Sequence, residues 1–107
     1  MKRQVNKKVT IDKFQYEIFW VTQYIDHYRS KYGDSLHTMS FVEMENFARN
    51  CVFFDWKGTS VLGVGRKDDV YYQMVVYLNK DKKRICLKTC YKVTDSRIVK
   101  ICLKLKI

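Results

Sequence analysis

The chain has no proline and only four glycines among its 107 residues, so it contains no stretch typical of a flexible linker between domains. No apolar run approaches the ~20 residues that a membrane-spanning helix needs. The basic N-terminal residues are not followed by an apolar segment suited to a signal peptide. These absences predict a single domain with no membrane contact. We expect it to act in the cytoplasm, either of the cell that makes it or of a cell that receives it.

Cysteine and histidine are too few and too scattered to form a recognisable metal motif. The four cysteines include no Cys-x-x-Cys pair, and both histidines lie far from them in sequence. Cys86 and Cys90 are predicted to share one face of a single strand, about 13 Å apart at ~3.3 Å per residue, which is too far to form a disulfide or share a metal ion. A metal site would require His27 or His37 to meet cysteines of the sheet. We expect free thiols in a reducing compartment, no metal and no cofactor.

Familiar catalytic motifs are also missing. Gly63-x-Gly65 is followed neither by Gly-Lys-Ser nor by a predicted helix, so it is not a phosphate-binding loop. No serine lies in a nucleophile-elbow context, and the carboxylates show no obvious pairing. Any enzymatic activity must therefore use other groups.

Positive charge is what the chain has in excess, with 21 Lys and Arg against 11 Asp and Glu and a net charge of +10. Residues 80–107 hold ten cations and two acids, an excess of eight, and residues 1–11 hold four cations and no acid. Lysines on an edge strand can simply prevent aggregation. An excess of eight over this stretch is larger than edge protection requires, so we favour a polyanionic partner such as RNA.

The N-terminal half is predicted to contain a basic arm and two helices. Weak alternation in residues 1–11 suggests a short edge strand. Apolar residues from 14 to 32 then recur at spacings of three and four, which predicts a helix of about twenty residues, capped by Asp12 and ending at Gly33. The second helix begins at a capping box and ends near residue 50. The capping residues are Ser40 and Glu43.

Residues 52–107 are predicted to form the sheet. Three polar turns separate four β-type runs, and in the last run, 97–107, apolar and basic residues alternate. The predicted fold class is α+β, in which two N-terminal helices pack on one face of a four-stranded antiparallel meander within a single domain. The expected core comprises Phe14, Ile18, Val21, Ile25, Phe41, Met44, Phe47, Val75, Ile85, Leu87, Ile101 and Leu103.

Two stretches resemble a known group of enzymes, together spanning about residues 27–95. The first, His-Tyr-Arg-Ser-Lys-Tyr-Gly at 27–33 followed by Met-Ser-Phe-Val-Glu-Met-Glu-Asn-Phe-Ala at 39–48, looks like the helical entry of toxin domains carried by bacterial contact-dependent effectors. The second, Lys-Thr-Cys-Tyr at 88–91, looks like their penultimate strand. With the order of elements, they resemble the small ribonuclease toxins of the barnase–EndoU–colicin–RelE superfamily.

This resemblance implies metal-independent cleavage of RNA, for example tRNA or mRNA, by attack of a 2′-hydroxyl on the adjacent phosphate. It also implies an acidic antitoxin or immunity protein as a partner. His27 and Tyr91 are then the candidates for proton transfer, because His titrates near neutral pH. The candidates for phosphate binding are Arg66, Lys67, Arg84 and Lys88.

Several alternatives remain open. His27 is also explained as a surface residue or as a cation at a helix C-terminus. Strict alternation places Lys88 on the opposite face of its strand from Thr89 and Tyr91, and only a twist or bulge would bring Tyr91 round. Tyrosines among the cations suit base stacking but also suit a sheet core. The chain could equally be a non-catalytic module that a phage or mobile element encodes. Such a module would either bind nucleic acid or inhibit another protein by docking on it through the basic face or the sheet edge.

Overall fold

The computed structural model of the chain describes residues 8–11 and 14–107 and has an α+β fold. Helices and strands alternate in blocks along the sequence. The strands are β1 (Lys8–Ile11), β2 (Phe14–Phe19), β3 (Val52–Lys57), β4 (Ser60–Lys67), β5 (Val70–Asn79) and β6 (Arg84–Lys92). The helices are α1 (Thr22–Lys31), α2 (Phe41–Asn50) and α3 (Ser96–Lys104). Within the described ranges, no helix has the length and apolar character required to cross a membrane.

The described strands form one mixed sheet in the order β1-β2-β6-β5-β4-β3. The predicted antiparallel meander is present in β4, β5 and β6. Two further strands flank the meander: β3 pairs with β4 in the antiparallel direction, and β2 pairs with β6 in parallel, with Ile18 beside Ile85. The four-stranded, purely antiparallel prediction was therefore wrong in strand number and direction. The predicted N-terminal edge strand is confirmed for residues 8–11, because among the described strands β1 has β2 as its one neighbour, at the edge of the sheet.

The long first helix was predicted wrongly, because residues 14–19 form β2 and α1 starts only at Thr22. The sequence of β2 alternates aromatic or β-branched residues with polar ones, so it fits a half-buried strand as well as the start of a helix. Tyr16 and Ile18 are buried. The end of the helix was predicted well, since α1 stops at Lys31, just before Gly33. Asp12 and the side chain of Phe14 lie outside the described part of the chain.

The last predicted strand is instead helix α3. Asp95 caps it, because its carboxylate accepts a hydrogen bond of 2.9 Å from the backbone N–H of Arg97. A further meander strand would have to pair with β6, but β2 and β5 already flank β6 on both sides. Leu103, expected in the core, is 62% exposed, and Cys102 is the buried residue of α3.

The core lies on one face of the sheet, where α2 packs. Its strand residues include Tyr72, Met74, Val76 and Leu78 of β5, and α2 contributes Met44, Phe47 and Ala48. The rings of Phe47 and Tyr72 meet edge to face at 5.9 Å. A Cβ at Gly65 would lie 3.0 Å from the Phe47 ring, so this glycine allows the helix to approach β4 closely. Of the remaining predicted core, Ile18, Ile85 and Leu87 are buried, and Val21, Ile25, Phe41, Val75 and Ile101 are half-buried.

A bulge in β6 decides which side chains lie on the opposite face. Val75 pairs with Thr89, whereas Val76 pairs with Leu87, so Lys88 is the extra residue. Beyond the bulge, Cys90 joins the core, and the prediction that it shares a face with Cys86 was wrong. The residues opposite the core form what we call the open face: Gln73, Val75, Tyr77, Cys86, Thr89 and Tyr91.

Candidate active site

A cavity of about 430 Å³ opens on the open face between α1, the loop before α2 and strands β5 and β6. We call it the His27 cavity. It brings together three of the six residues that the sequence nominated, namely His27, Lys88 and Tyr91. Its complete lining is His27, Lys31, Leu36, His37, Val75, Lys88, Thr89 and Tyr91. The bulge makes this grouping possible, because it turns Thr89 and Tyr91 to the open face beside Lys88.

Helix α1 contributes His27 and Lys31, which are one turn apart and therefore share a helix face. The His27 side chain is exposed at the rim. Tyr24, one turn earlier on the same face, packs against Tyr77 of β5 with 5.5 Å between ring centres. Tyr28, on the neighbouring face, is buried and donates a hydrogen bond of 2.8 Å to the carbonyl oxygen of Met39. The buried tyrosine anchors the helix and so fixes where His27 lies.

The loop before α2 contributes His37, which Asp34 holds in place. One carboxylate oxygen of Asp34 accepts hydrogen bonds from the backbone N–H groups of Leu36 (2.8 Å) and His37 (2.6 Å), and both oxygens lie 3.0–3.1 Å from His37 Nδ1. The backbone bonds from His37 and then Leu36 are the main reason that the pKa of Asp34 falls to about 2. The Lys92 N–H donates to the carbonyl oxygen of Leu36 at 3.1 Å and attaches the loop to β6.

The sheet contributes a phenol and a cation. The hydroxyl oxygen of Tyr91 accepts a hydrogen bond of 3.1 Å from the side-chain amide of Gln73, and its ring lies 5.4 Å from the His37 ring. Lys88 Nζ donates to the Tyr77 hydroxyl at 3.1 Å and lies 5.3 Å from the centre of that ring. The bond to Tyr77 is the main cause of a raised pKa for Lys88, so the ammonium stays charged at neutral pH.

The other nominated residues lie elsewhere. Arg66 and Lys67 line a separate cavity of about 220 Å³ beside α2. There, Lys67 Nζ is 3.2 Å from Glu43 and 3.0 Å from Asp68, so acidic side chains already neutralise it. Arg84 lines a third cavity, of about 320 Å³, next to β2. The proposed grouping of Arg66 with His27 and Tyr91 is therefore absent from the His27 cavity.

Two of the cavity's ionisable residues, His37 and Lys31, were not nominated from the sequence as catalytic or phosphate-binding groups. His37 was considered only as a metal ligand. The spacing Asp34-x-x-His37 directly after a helix-ending glycine is typical of a turn in which the carboxylate bonds to the following backbone. This spacing could have indicated an ordered histidine. Lys31 could have been found from its position four residues after His27 on the same helix.

The chemistry available in the cavity is proton transfer beside positive charge. Two imidazoles and a phenol can accept or donate protons, and two ammonium groups can stabilise an anion. Among these described lining residues none carries a carboxylate. Across residues 8–11 and 14–107, no three His, Cys, Asp or Glu side chains converge as metal ligands would.

No protein-family model matches the chain. No curated protein matches it, and no solved structure matches it. The chemistry of the His27 cavity is therefore the basis for assigning a function.

Proposed function

We propose that the protein is a small metal-independent endoribonuclease. The observation that carries this proposal is the convergence of two histidines, a tyrosine and two lysines in one cavity on the sheet. Cleavage of RNA by its own 2′-hydroxyl requires a base, an acid and cations around the phosphate. The lining of the His27 cavity contains each of these groups. The resemblance of residues 27–33, 39–48 and 88–91 to ribonuclease toxins points to the same reaction.

In the proposed reaction, His37 is the general base. Because Asp34 holds Nδ1, Nε2 is the nitrogen that takes the proton from the 2′-hydroxyl. The 2′-oxygen then attacks the adjacent phosphorus, and the bond from phosphorus to the 5′-oxygen breaks. His27, in its protonated form at the rim, gives a proton to that leaving oxygen. The products are a 2′,3′-cyclic phosphate and a 5′-hydroxyl.

The remaining lining residues stabilise the charge that develops on the phosphate. Lys88 is held by Tyr77, and Lys31 projects from the same helix face as His27, so two ammonium groups flank the proposed phosphate position. The Tyr91 hydroxyl accepts from Gln73, which leaves its own proton to donate to a phosphate oxygen. One histidine must be neutral and the other protonated, so the rate should follow a bell-shaped dependence on pH.

A basic ribonuclease must be neutralised in the cell that makes it. With a net charge of +10, the surface suits an acidic antitoxin or immunity protein, and tRNA or mRNA is the expected substrate class. The cytoplasm is the site of action that this substrate implies. The acidic partner, the RNA substrate class and the cytoplasmic site of action all depend on the ribonuclease activity, so that activity is tested first.

The first test is incubation of the purified protein with total RNA and with tRNA in the presence of EDTA. Discrete cleavage products are expected. Retention of RNA without cleavage would overturn the enzyme assignment and favour a nucleic-acid-binding module. Neither cleavage nor retention would overturn both and favour a protein inhibitor that uses the basic face.

A further inference from the structure

The cavity of about 320 Å³ that Arg84 lines shares the open face of the sheet with the His27 cavity. Its lining includes Phe19 from the end of β2, Tyr77 from β5, and Cys86, Arg84 and Lys82 from β6 and the turn before it. We call it the Phe19 cavity. Lys88 marks the boundary, because it lines the His27 cavity and bonds to Tyr77, which lines the Phe19 cavity.

Strand pairing places the aromatic residues of the Phe19 cavity in one row. Phe19 is beside Cys86 in the parallel ladder, and Cys86 is beside Tyr77 in the antiparallel one, so all three side chains lie on the open face. Phe19 is 44% exposed, although phenylalanine is among the residue types most often buried. An apolar ring kept in solvent beside a cavity is a candidate contact for a planar ligand.

A cation accompanies each ring of the row. The guanidinium of Arg84 lies 5.1 Å from the centre of the Phe19 ring, and the Lys88 ammonium lies 5.3 Å from that of Tyr77. Lys82 is exposed at the mouth of the cavity. Aromatic rings interleaved with cations are what single-stranded nucleic acid requires, because bases stack on the rings while the cations neutralise the phosphates.

We propose that the Phe19 cavity binds the base of a nucleotide beyond the two at the scissile bond, so that the substrate is a single-stranded RNA of at least three nucleotides. This inference rests on the proposed ribonuclease function. The floor residues Cys86 and Thr89 pair with Tyr77 and Val75, which are two residues and about 7 Å apart along β5 at ~3.3 Å per residue. The two cavities therefore follow one another along β6, and an extended single strand can run from one to the other.

Substrate length provides the test. Phe19→Ala should raise KM roughly 5- to 150-fold for an unstructured hexanucleotide RNA, the loss expected for one stacked base. It should leave a dinucleotide unaffected, and Phe19→Trp should restore the hexanucleotide KM. Tyr32→Ala is the matched control, because Tyr32 is a 53% exposed aromatic that lines a different cavity. An equal effect on both lengths, or no effect on either, would overturn the subsite.

A binding measurement separates this inference from the proposed reaction. A hexanucleotide of DNA has no 2′-hydroxyl, so its affinity can be measured for wild type and Phe19→Ala without cleavage. Weaker binding by the variant supports the subsite even if wild type cleaves no RNA, a result that would overturn only the ribonuclease assignment. Equal binding by the two proteins overturns the subsite even if wild type cleaves RNA.

Discussion

At the scale of single residues, the His27 cavity combines side chains that transfer protons with side chains that carry positive charge. His27, Lys88 and Tyr91 were nominated for their chemistry, and they meet in one cavity. Arg66 and Lys67 were nominated on the same grounds, but they lie beside α2, where Lys67 pairs with Glu43. Which cations surround a histidine depends on contacts between distant elements, and residue type alone does not encode those contacts.

His27 is the residue whose removal tests the site most simply. Replacing it by alanine should lower the rate of RNA cleavage about a hundredfold or more, because a general acid is lost. Gln23→Ala is the matched control, since it truncates another exposed polar side chain of α1. The measurement is cleavage of RNA in EDTA by the three proteins. Equal rates for wild type and His27→Ala would show that His27 is only a surface residue.

Asp34 should make stability depend on pH in the acid range. Its pKa is about 2 in the folded chain against an ordinary 3.8, so the unfolded chain binds the proton first as pH falls. The stabilisation is present above about pH 4 and is lost towards about pH 2. Urea unfolding across this interval should show a steeper loss of stability for wild type than for Asp34→Asn. Parallel curves would contradict the proposed anchoring of the loop.

At the scale of elements, the predictions failed where two periodicities fit the same residues. The stretch 97–107 alternates like a strand, yet its apolar residues also recur at helical spacing, and the choice depends on the rest of the fold. β2 pairs with residues 84–86 at the outer edge of β6, and the loop before α2 bonds to that edge at Lys92. Another strand therefore has no free edge of β6 to pair with, and Asp95 caps a helix instead. The capping box at Ser40 and Glu43 has no such ambiguity, and α2 begins at Phe41 as predicted.

The difference between strand and helix can be measured at two leucines. Leu87 is fully buried in β6, so Leu87→Ala should lower the free energy of unfolding by about 2–5 kcal/mol. Leu103 is exposed on α3, and Leu103→Ala should change it by less than about 0.5 kcal/mol. Chemical denaturation of both variants beside wild type gives the comparison. A large loss at Leu103 would show that the C-terminal segment is packed as a strand after all.

At the scale of the whole molecule, the fold brings together cations that are far apart in the sequence. The net charge of +10 is a property of the sequence, but only the folded chain brings Lys31 beside Lys88. The bulge is the local feature that could not be placed in advance. The alternation of residues 84–91 indicates that Tyr91 needs a bulge to reach the other face of its strand. The position of the extra residue, however, is decided by the pairing of β6 with β5.

RNA binding should depend steeply on salt, because phosphate contacts release counterions. The logarithm of the association constant should fall linearly with the logarithm of salt concentration. Lys88→Met should reduce the slope by about 0.7, the value for one phosphate contact on a single strand. Lys67→Met is the control and should leave the slope unchanged, because Glu43 and Asp68 already pair with Lys67. The measurement is fluorescence anisotropy with a labelled oligonucleotide, and a slope near zero for wild type would contradict the account.

The most direct test of the central claim is the chemical nature of the cleavage products. Wild-type protein is incubated in EDTA with an RNA oligonucleotide that it cleaves, and with the same oligonucleotide carrying a 2′-deoxy sugar at the cleaved position. The account predicts a 2′,3′-cyclic phosphate and a 5′-hydroxyl from the first substrate and no cleavage at that position in the second. Cleavage of the deoxy substrate at the same bond, or products that carry a 5′-phosphate, would contradict it.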